Sequence, residues 1–233
     1  MHRQETEEVE VSPGIHRLES IKFANCYLIA RDEMTLIDTG LPRNAGKILA
    51  YITDRLRRNC SDLTTIVLTH HHFDHIGSAA ELRKLTKAKI AVHRDDADYV
   101  AGVKTSPTPR GPTGTLLKIA SPFLRLAPFQ PDMLLEDGEK VAGLTVVHTP
   151  GHTPGSISLH DPDRRTLFVG DAIRFINGEI LGPSEEFTMD MQQARRSIEK
   201  IAQLDFDTML CGHGEPLAPY AASRVREFKD LWK

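Results

Sequence analysis

The stretch T-H-H-H-F-D-H-I-G, residues 69–77, decides how this chain folds and what its site contains. It places the side chains of His70, His72, Asp74 and His75 within six consecutive residues. The run before it, 64–69, is β-branched and apolar, which predicts a buried strand that ends where the polar cluster begins. Alternate side chains share a face of an extended segment, so His70 and His72 can reach one ion together.

The residues after this strand predict a helix from His75 onward, with apolar positions continuing through residue 85. A chain that turns into a helix at this point directs Asp74 and His75 away from His70 and His72, toward a neighbouring position. One short loop could therefore serve two metal ions. We expect a metal site here.

Three further donor residues follow apolar, strand-like runs and lie beside glycine, which lets the backbone approach an ion closely. His152 lies in the turn P-G-H-T-P-G, residues 150–155, after a run that ends at residue 148. Asp171 follows the run 166–170, and His213 follows the run 208–211. The sequence thus supplies ligands for the same site from distant positions.

These motifs, H-x-H-x-D-H, T-P-G-H-T-P-G-S, V-G-D-A and C-G-H-G in that order, resemble the metallo-β-lactamase superfamily, in its glyoxalase II-like branch. The stretch L-I-D-T-G, residues 36–40, resembles the family's first motif, which implies that Asp38 orients a ligand without binding metal. The resemblance implies three ligands for one ion, three for the other and one bridging residue. These are His70, His72 and His152; Asp74, His75 and His213; and Asp171.

The remaining histidines and Cys211 are interpreted differently. His71 alternates to the other face of the strand end, which favours a role behind the ligands or at the surface. Cys211 is expected to pack away from His213. The other three, His93, His148 and His160, match no motif and are interpreted as structural.

The ligand set suits zinc, iron or manganese, and zinc is our first choice for both divalent ions. Two ions bridged by Asp171 would share a water whose pKa falls toward neutrality, giving a hydroxide nucleophile that Asp74 orients. No G-x-S-x-G elbow is present, so a covalent serine intermediate is not expected.

Hydrophobic patterning predicts an α/β (α+β) fold, and the resemblance implies a four-layer αββα sandwich of two mixed sheets flanked by helices, in a single domain over 1–233. Pattern and turn residues predict helices near 43–58, 76–87, 94–101, 190–204 and 217–231, with Thr188 or Asp190 capping the fourth. Strands are predicted near 15–18, 23–30, 34–38, 64–69, 89–93, 140–148, 156–160, 165–170 and 207–211.

Charge, apolar content and cysteine number limit the classes of partner and the location that we expect for this chain. The formal charge of −3 gives no basic field for a nucleic-acid backbone, so nucleic acid is an unexpected partner. No segment approaches ~20 apolar residues, so membrane insertion is not expected. Three scattered cysteines fit reduced thiols in the cytoplasm.

The segment 102–131 carries six prolines and no acidic residue from Gly102 to Pro131, with basic residues throughout and apolar residues in its second half. We interpret it as a lid over a small-molecule substrate that is anionic with an apolar part. A homodimer contact and an ordinary connecting segment are the alternatives.

The function predicted from these residues is a dinuclear metal-dependent hydrolase that cleaves a carboxylic ester, thioester or lactone. The chain has no tyrosine between Asp171 and His213, where lactonases of the family carry one. Three alternatives remain open: a mononuclear iron dioxygenase acting on persulfides, a phosphodiesterase or nuclease of the same superfamily, and a metal-stabilised interaction domain.

Overall fold

A computed structural model describes residues 9–108 and 126–232 of the chain. The predicted lid, 102–131, lies partly outside the described residues, so its role remains a prediction. The described strands form a seven-stranded sheet, a five-stranded sheet and a two-stranded hairpin. Within the described ranges, no helix has the length and apolar character needed to cross a bilayer.

The first sheet is built from the first half of the chain, and its strands lie in chain order. The first four strands pair antiparallel, whereas the fourth to seventh pair parallel. The strands are β1 (Val9–Ser12), β2 (Ile15–Arg17), β3 (Tyr27–Ile29), β4 (Met34–Ile37), β5 (Leu63–Val67), β6 (Lys89–His93) and β7 (Met133–Leu135). The helices on this half are α1 (Ala45–Ala50), which continues as a π-helical turn (Tyr51–Arg55), then α2 (Phe73–Ile76), α3 (Ala79–Thr86) and α4 (Arg94–Val100), with a 3-10 turn at Cys60–Asp62.

The second half of the chain forms the other sheet and the hairpin. The sheet strands are β8 (Lys140–Val141), β9 (Leu144–His148), β10 (Ile157–Asp161), β11 (Thr166–Gly170) and β14 (Thr208–Cys211), in the order β14-β11-β10-β9-β8. Among these described strands, only β11 and β14 pair parallel. The hairpin is β12 (Arg174–Ile176) with β13 (Glu179–Leu181), and the helices are α5 (Met191–Ile201) and α6 (Ala221–Leu231).

Alternation along the strands divides the core into three layers. Val67 of β5 and Phe168 of β11 lie in the layer between the two sheets. Their chain neighbours face outward: Ile66 packs with residues of α1 and α3 on one side, and Leu167 packs with residues of α5 and α6 on the other. This arrangement confirms the predicted four-layer αββα sandwich.

Several predicted boundaries were wrong. The strand predicted over 140–148 is two strands, because Ala142 and Gly143 adopt positive φ (49° and 80°) and reverse the chain. The helix predicted over 76–87 is two helices, and it begins earlier, at Phe73. The strand predicted over 23–30 begins only at Tyr27, the helix over 43–58 is regular only to Ala50, and the helix over 217–231 begins at Ala221. Four strands, β1, β7, β12 and β13, were not predicted.

The fold places the donor residues at one edge. The loop 70–72 follows β5, His152 follows β9, Asp171 follows β11 and His213 follows β14. Both sheets therefore contribute to the same edge, and α5, capped by the side chain of Asp190 as predicted, packs beside it.

Candidate metal centre

The structure brings all seven predicted ligands together. They form three overlapping groups in which one donor atom per residue lies within 4.8 Å of the others. The groups share His70 and His75, so the seven side chains make one continuous cluster. The groups are His70, His72 and His152; His70, His75 and Asp171; and Asp74, His75 and His213.

The first part of this cluster, which we call the imidazole half, consists of His70, His72 and His152. Nε2 of His152 lies 3.0 Å from Nδ1 of His72, and the His70 ring is 4.8 Å from each of the other two rings, centroid to centroid. Burial lowers the pKa of His70 and His72 well below the ordinary value and that of His152 to about 4. The three rings are therefore neutral at pH 7 and have lone pairs available for a cation.

The second part, the carboxylate half, consists of Asp74, His75 and His213. Oδ2 of Asp74 lies 3.4 Å from Nε2 of His213 and 4.0 Å from Nε2 of His75. Burial alone would lower the pKa of both histidines, but nearby carboxylates raise it. Asp171, Asp38 and Asp74 raise the pKa of His75 to about 9, and Asp171 and Asp74 raise that of His213 to about 11. Without metal, this half therefore holds protons where a cation would lie.

Asp171 lies between the two halves. Its Oδ2 is 3.4 Å from Nε2 of His152 and 3.2 Å from Nε2 of His213, and its Oδ1 is 3.4 Å from Nε2 of His75. Burial opposes ionisation, yet the positive charges of His213 and His75 hold the pKa of this carboxyl well below its usual range. A carboxylate whose Oδ2 lies near a donor nitrogen of each half has the placement of a bridging ligand.

The residues present fit a divalent metal. Nε2 of His70 and Oδ1 of Asp171 are buried and have no hydrogen-bond partner among the described residues. Such orphaned polar atoms are costly unless something binds them. Five imidazoles and two carboxylates converging on one place form a donor set typical of zinc, iron or manganese.

In four of the five imidazoles, those of His70, His75, His152 and His213, the ring nitrogen that faces away from the centre is held by another group, as in most metal-binding histidines. Asp38 accepts from the amide and hydroxyl of Thr69, at 2.8 and 2.7 Å, and its Oδ2 lies 2.8 Å from Nδ1 of His75. The Thr69 hydroxyl in turn lies 3.0 Å from Nδ1 of His70. Asp38 thus orients His75 directly and His70 through Thr69, in the position that the sequence predicts for it.

Two other outer partners were missed in the sequence analysis. The hydroxyl of Thr188 lies 3.2 Å from Nδ1 of His152, and the backbone carbonyl of Phe23 lies 2.8 Å from Nδ1 of His213. The sequence pattern indicates Thr188 only as a helix cap. Phe23 acts through its backbone, at a positive φ of 78°, which no side-chain pattern reveals.

A third missed residue, Asp96 in the first turn of α4, is fully buried. Its carboxylate accepts from the amide of His71 at 2.9 Å, the hydroxyl of Thr153 at 2.8 Å and the amide of Gly155 at 2.7 Å. It therefore joins the loop of His70 and His72 to the turn of His152. His71 is buried against Tyr99, with ring centroids 4.1 Å apart, so a surface position for His71 was wrong.

Glycine is required at Gly212, between Cys211 and His213. A Cβ there would lie 2.2 Å from Oδ1 of Asp171 and 2.8 Å from Cε1 of His75. Cys211 itself is buried in the core cluster beneath α5 and α6, as expected for a packing residue. The absence of a side chain at Gly212 therefore lets this strand end approach the centre.

Known proteins resemble this chain over most of its length. The family model described as "Metallo-beta-lactamase superfamily" matches residues 21–213. The "Probable metallo-hydrolase YflN" of Bacillus subtilis is 33% identical over 230 residues, covering 89% of this chain and 86% of that protein. The "Acyl-coenzyme A thioesterase MBLAC2" of Bos taurus is 31% identical over 215 residues, covering 84% and 74%.

Two solved structures share the fold. A metallo-beta-lactamase family protein from Thermus thermophilus has a TM-score of 0.70 and 25% identity, covering 94% of this chain and 79% of that one. The protein TTHA1623 in a di-iron-bound form has a TM-score of 0.67 and 25% identity, covering 88% and 94%.

Proposed function

The chain belongs to the metallo-beta-lactamase superfamily and is a metal-dependent hydrolase, and we propose that it uses two divalent ions to cleave a carboxylic ester, thioester or lactone. The observation that carries the dinuclear proposal is the position of Asp171, with one oxygen within 3.4 Å of a donor nitrogen in each half. The di-iron form of TTHA1623 supports the number of ions in a related fold. Zinc remains our first choice of metal, with iron and manganese as alternatives.

The grouping of donor atoms supports a division of the proposed ligands into two sets. His70, His72 and His152 would hold one ion, and Asp74, His75 and His213 the other, with Asp171 shared. When bound, the two ions would polarise the substrate carbonyl and lower the pKa of the attacking water. The protein's contribution is to fix these side chains in place through their outer partners.

Asp74 has a second role in this proposal. Its carboxylate is 16% exposed, which makes it more accessible than any other carboxylate of the centre, and Oδ2 lies beside His213. Although burial opposes it, the charge of His75 lowers the pKa of Asp74, so the carboxylate stays ionised at neutral pH. It can accept a hydrogen bond from the attacking water and orient it toward the carbonyl.

Among the three substrate bonds, we place the thioester first. The named thioesterase relative covers 84% of this chain, which supports an acyl thioester over the other two. Such a substrate would be a small molecule with an anionic and an apolar part, as proposed from the segment 102–131. A cytoplasmic location, supported by three free thiols, and a possible homodimer belong to the same proposal.

The test begins with elemental analysis of protein purified without added metal, followed by ester, thioester, lactone and phosphodiester substrates. We expect two metal ions per chain and hydrolysis of acyl substrates. The matched control is Asp171→Asn, which keeps the shape of the side chain and removes the charge that both halves share.

Hydrolysis of only phosphodiesters would contradict the proposal, as would oxygen consumption with a persulfide and a single iron per chain. A full complement of metal with no activity on any substrate would favour the metal-stabilised interaction domain.

A further inference from the structure

Asp96 is a buried carboxylate that belongs to neither half of the metal centre, but it contacts both chain segments that carry the imidazole half. It lies in the first turn of α4 and is 0% exposed. Its Oδ2 accepts from the amide of His71 at 2.9 Å and from the hydroxyl of Thr153 at 2.8 Å, and its Oδ1 accepts from the amide of Gly155 at 2.7 Å. The three donors come from the loop after β5 and from the turn after β9.

These contacts fix the backbone directly beside the proposed ligands. The amide of His71 belongs to the peptide bond that joins it to His70, so the carboxylate holds that peptide bond in one orientation. The hydroxyl that donates from the other segment belongs to Thr153, the residue after His152. Because Nε2 of His152 lies 3.0 Å from Nδ1 of His72, a shift of either segment changes the separation of the donor nitrogens. A site keeps its geometry only when its groups are held to within ~0.5 Å.

The packing around Asp96 leaves little freedom to either segment. A Cβ at Gly155 would lie 2.6 Å from both the amide nitrogen and Cγ of Asp96, so this turn approaches α4 only because residue 155 has no side chain. One turn further along α4, the ring of Tyr99 stacks on that of His71, with centroids 4.1 Å apart and planes that differ by 5°. Helix α4 therefore holds the loop both by its backbone and by its ring.

A second buried aspartate has the corresponding position behind the carboxylate half. Asp38 accepts from the amide of Thr69 at 2.8 Å, and its Oδ2 lies 2.8 Å from Nδ1 of His75. Asp96 accepts from the amide of His71, two residues further along the same loop. The described donors to Asp96 all lie beside ligands of the imidazole half, so we expect its effect to be confined to that half.

We propose that Asp96 is a positioning residue for the ion of the imidazole half, and that it sets the spacing between the segment of His70 and His72 and the segment of His152. The inference rests on the proposed metal centre, since Asp96 acts through the ligands and is not one of them. A carboxylate suits this position because both of its oxygens are acceptors. In Asp96→Asn, the amide nitrogen would face one of the three donors and leave it without an acceptor.

The test is titration of zinc into the metal-free full chain in competition with a chromophoric chelator, which yields an affinity for each ion. The ion of the imidazole half is the one that binds without releasing protons, because the three rings of that half are neutral at pH 7. We expect Asp96→Asn to lower the affinity for this ion by about 10- to 100-fold and to leave the affinity for the other ion unchanged. A purely structural role would weaken the binding of both ions alike.

Variants of two further residues complete the test. Asp98→Asn is the matched control, because Asp98 lies on the same helix, is exposed and pairs with Lys104, so this variant should bind both ions as the wild type does. Thr153→Val removes one donor and keeps the carboxylate, so it should weaken the binding of the same ion as Asp96→Asn. Thr153→Ser keeps the hydroxyl and should retain the affinity of the wild type.

Unchanged affinity for the ion of the imidazole half in folded Asp96→Asn would overturn the inference, as would equal losses for both ions. If Asp96→Asn fails to fold, the same outcomes in Thr153→Val decide. A wild type that binds a single ion would contradict the dinuclear proposal alone, because a loss of affinity for that ion in Asp96→Asn would still support the role of Asp96.

Discussion

The imidazole half and the carboxylate half of the metal centre share Asp171 and lie side by side, yet they treat protons in opposite ways. In the imidazole half, burial holds the pKa of His152 at about 4. In the carboxylate half, neighbouring carboxylates raise the pKa of His75 to about 9 and of His213 to about 11. At pH 7 one half is ready for a cation, whereas the other must first release protons.

The difference teaches that charge balance, and not burial alone, sets the state of each histidine. His70 and His75 are both buried, and their ring centroids are 4.0 Å apart. Of these two, only His75 has a carboxylate, Asp38, directly on its outer nitrogen. We therefore expect the two halves to load in sequence, the imidazole half first.

The largest effect should follow from Asp171→Asn, which removes the charge common to both halves. We expect both ions to bind less tightly and kcat/KM to fall on the order of 10³-fold, since a bound ion supplies several kcal/mol of stabilisation in the transition state. Elemental analysis and steady-state kinetics measure this. Loss of one ion with the other unaffected would show that Asp171 is not shared.

The second-largest expected effect is that of pH on the affinity for the second ion, the one proposed for the carboxylate half. Ligands must be deprotonated to bind metal, so an ion that displaces two protons loses affinity by about 100-fold for each unit that the pH falls, below the raised pKa values of His75 and His213. The affinity for the first ion, the one proposed for the imidazole half, should change little between pH 6 and pH 8, because His70, His72 and His152 are already neutral there. Calorimetric titration in buffers of different ionisation enthalpy counts the protons released.

Equal proton release for both ions would remove the distinction between the halves. A measurement between pH 9 and pH 10 serves as the control, since His75 would largely have lost its proton there and His213 would still hold one. The pH dependence of the affinity for the second ion should then fall to about tenfold per unit.

Asp38→Asn should lower metal affinity by about 10- to 100-fold, as expected for a residue that orients a ligand. The loss should fall mainly on the second ion, because Asp38 contacts His75 directly and His70 only through Thr69. Asp137→Asn is the control, an aspartate bonded instead to Lys200 and His148. An equal loss for both ions would mean that Thr69 transmits the effect fully.

Thr188→Val gives the smallest expected change in metal affinity, and it affects the imidazole half. It keeps the shape of the side chain and removes the hydroxyl beside Nδ1 of His152. We expect a loss of about tenfold in affinity for the first ion and little change for the second, at the lower end of such effects. Competition with a chromophoric chelator resolves the affinities for the two ions. An unchanged affinity for the first ion would exclude a role for Thr188.

Much of the centre could be predicted, because side-chain donors near glycine at strand ends form a readable pattern. The sequence pattern indicates the seven residues that the structure brings together and Asp38 behind them. It missed the carbonyl of Phe23, which every residue type possesses. It also missed Asp96, whose partners His71, Thr153 and Gly155 come from other parts of the chain.

The fold class was equally readable, since buried strands such as β5 and β11 are continuous apolar runs. Element boundaries could not be predicted where backbone conformation decides them. Ala142 adopts a positive φ of 49°, so β8 and β9 separate at a residue type that does not usually mark a turn. The hairpin of β12 and β13 was missed because its strands are only three residues long, although Asn177 and Gly178 mark its turn.

The donor residues of the imidazole half come from both sheets, with His70 and His72 after β5 and His152 after β9. During synthesis on the ribosome, His70 and His72 emerge long before His152, and His213 emerges last. A growing chain therefore cannot hold either of the proposed ions with its full set of donor residues until the second sheet has formed against the first. Catalytic competence would then be acquired only by chains in which both sheets have formed and packed together.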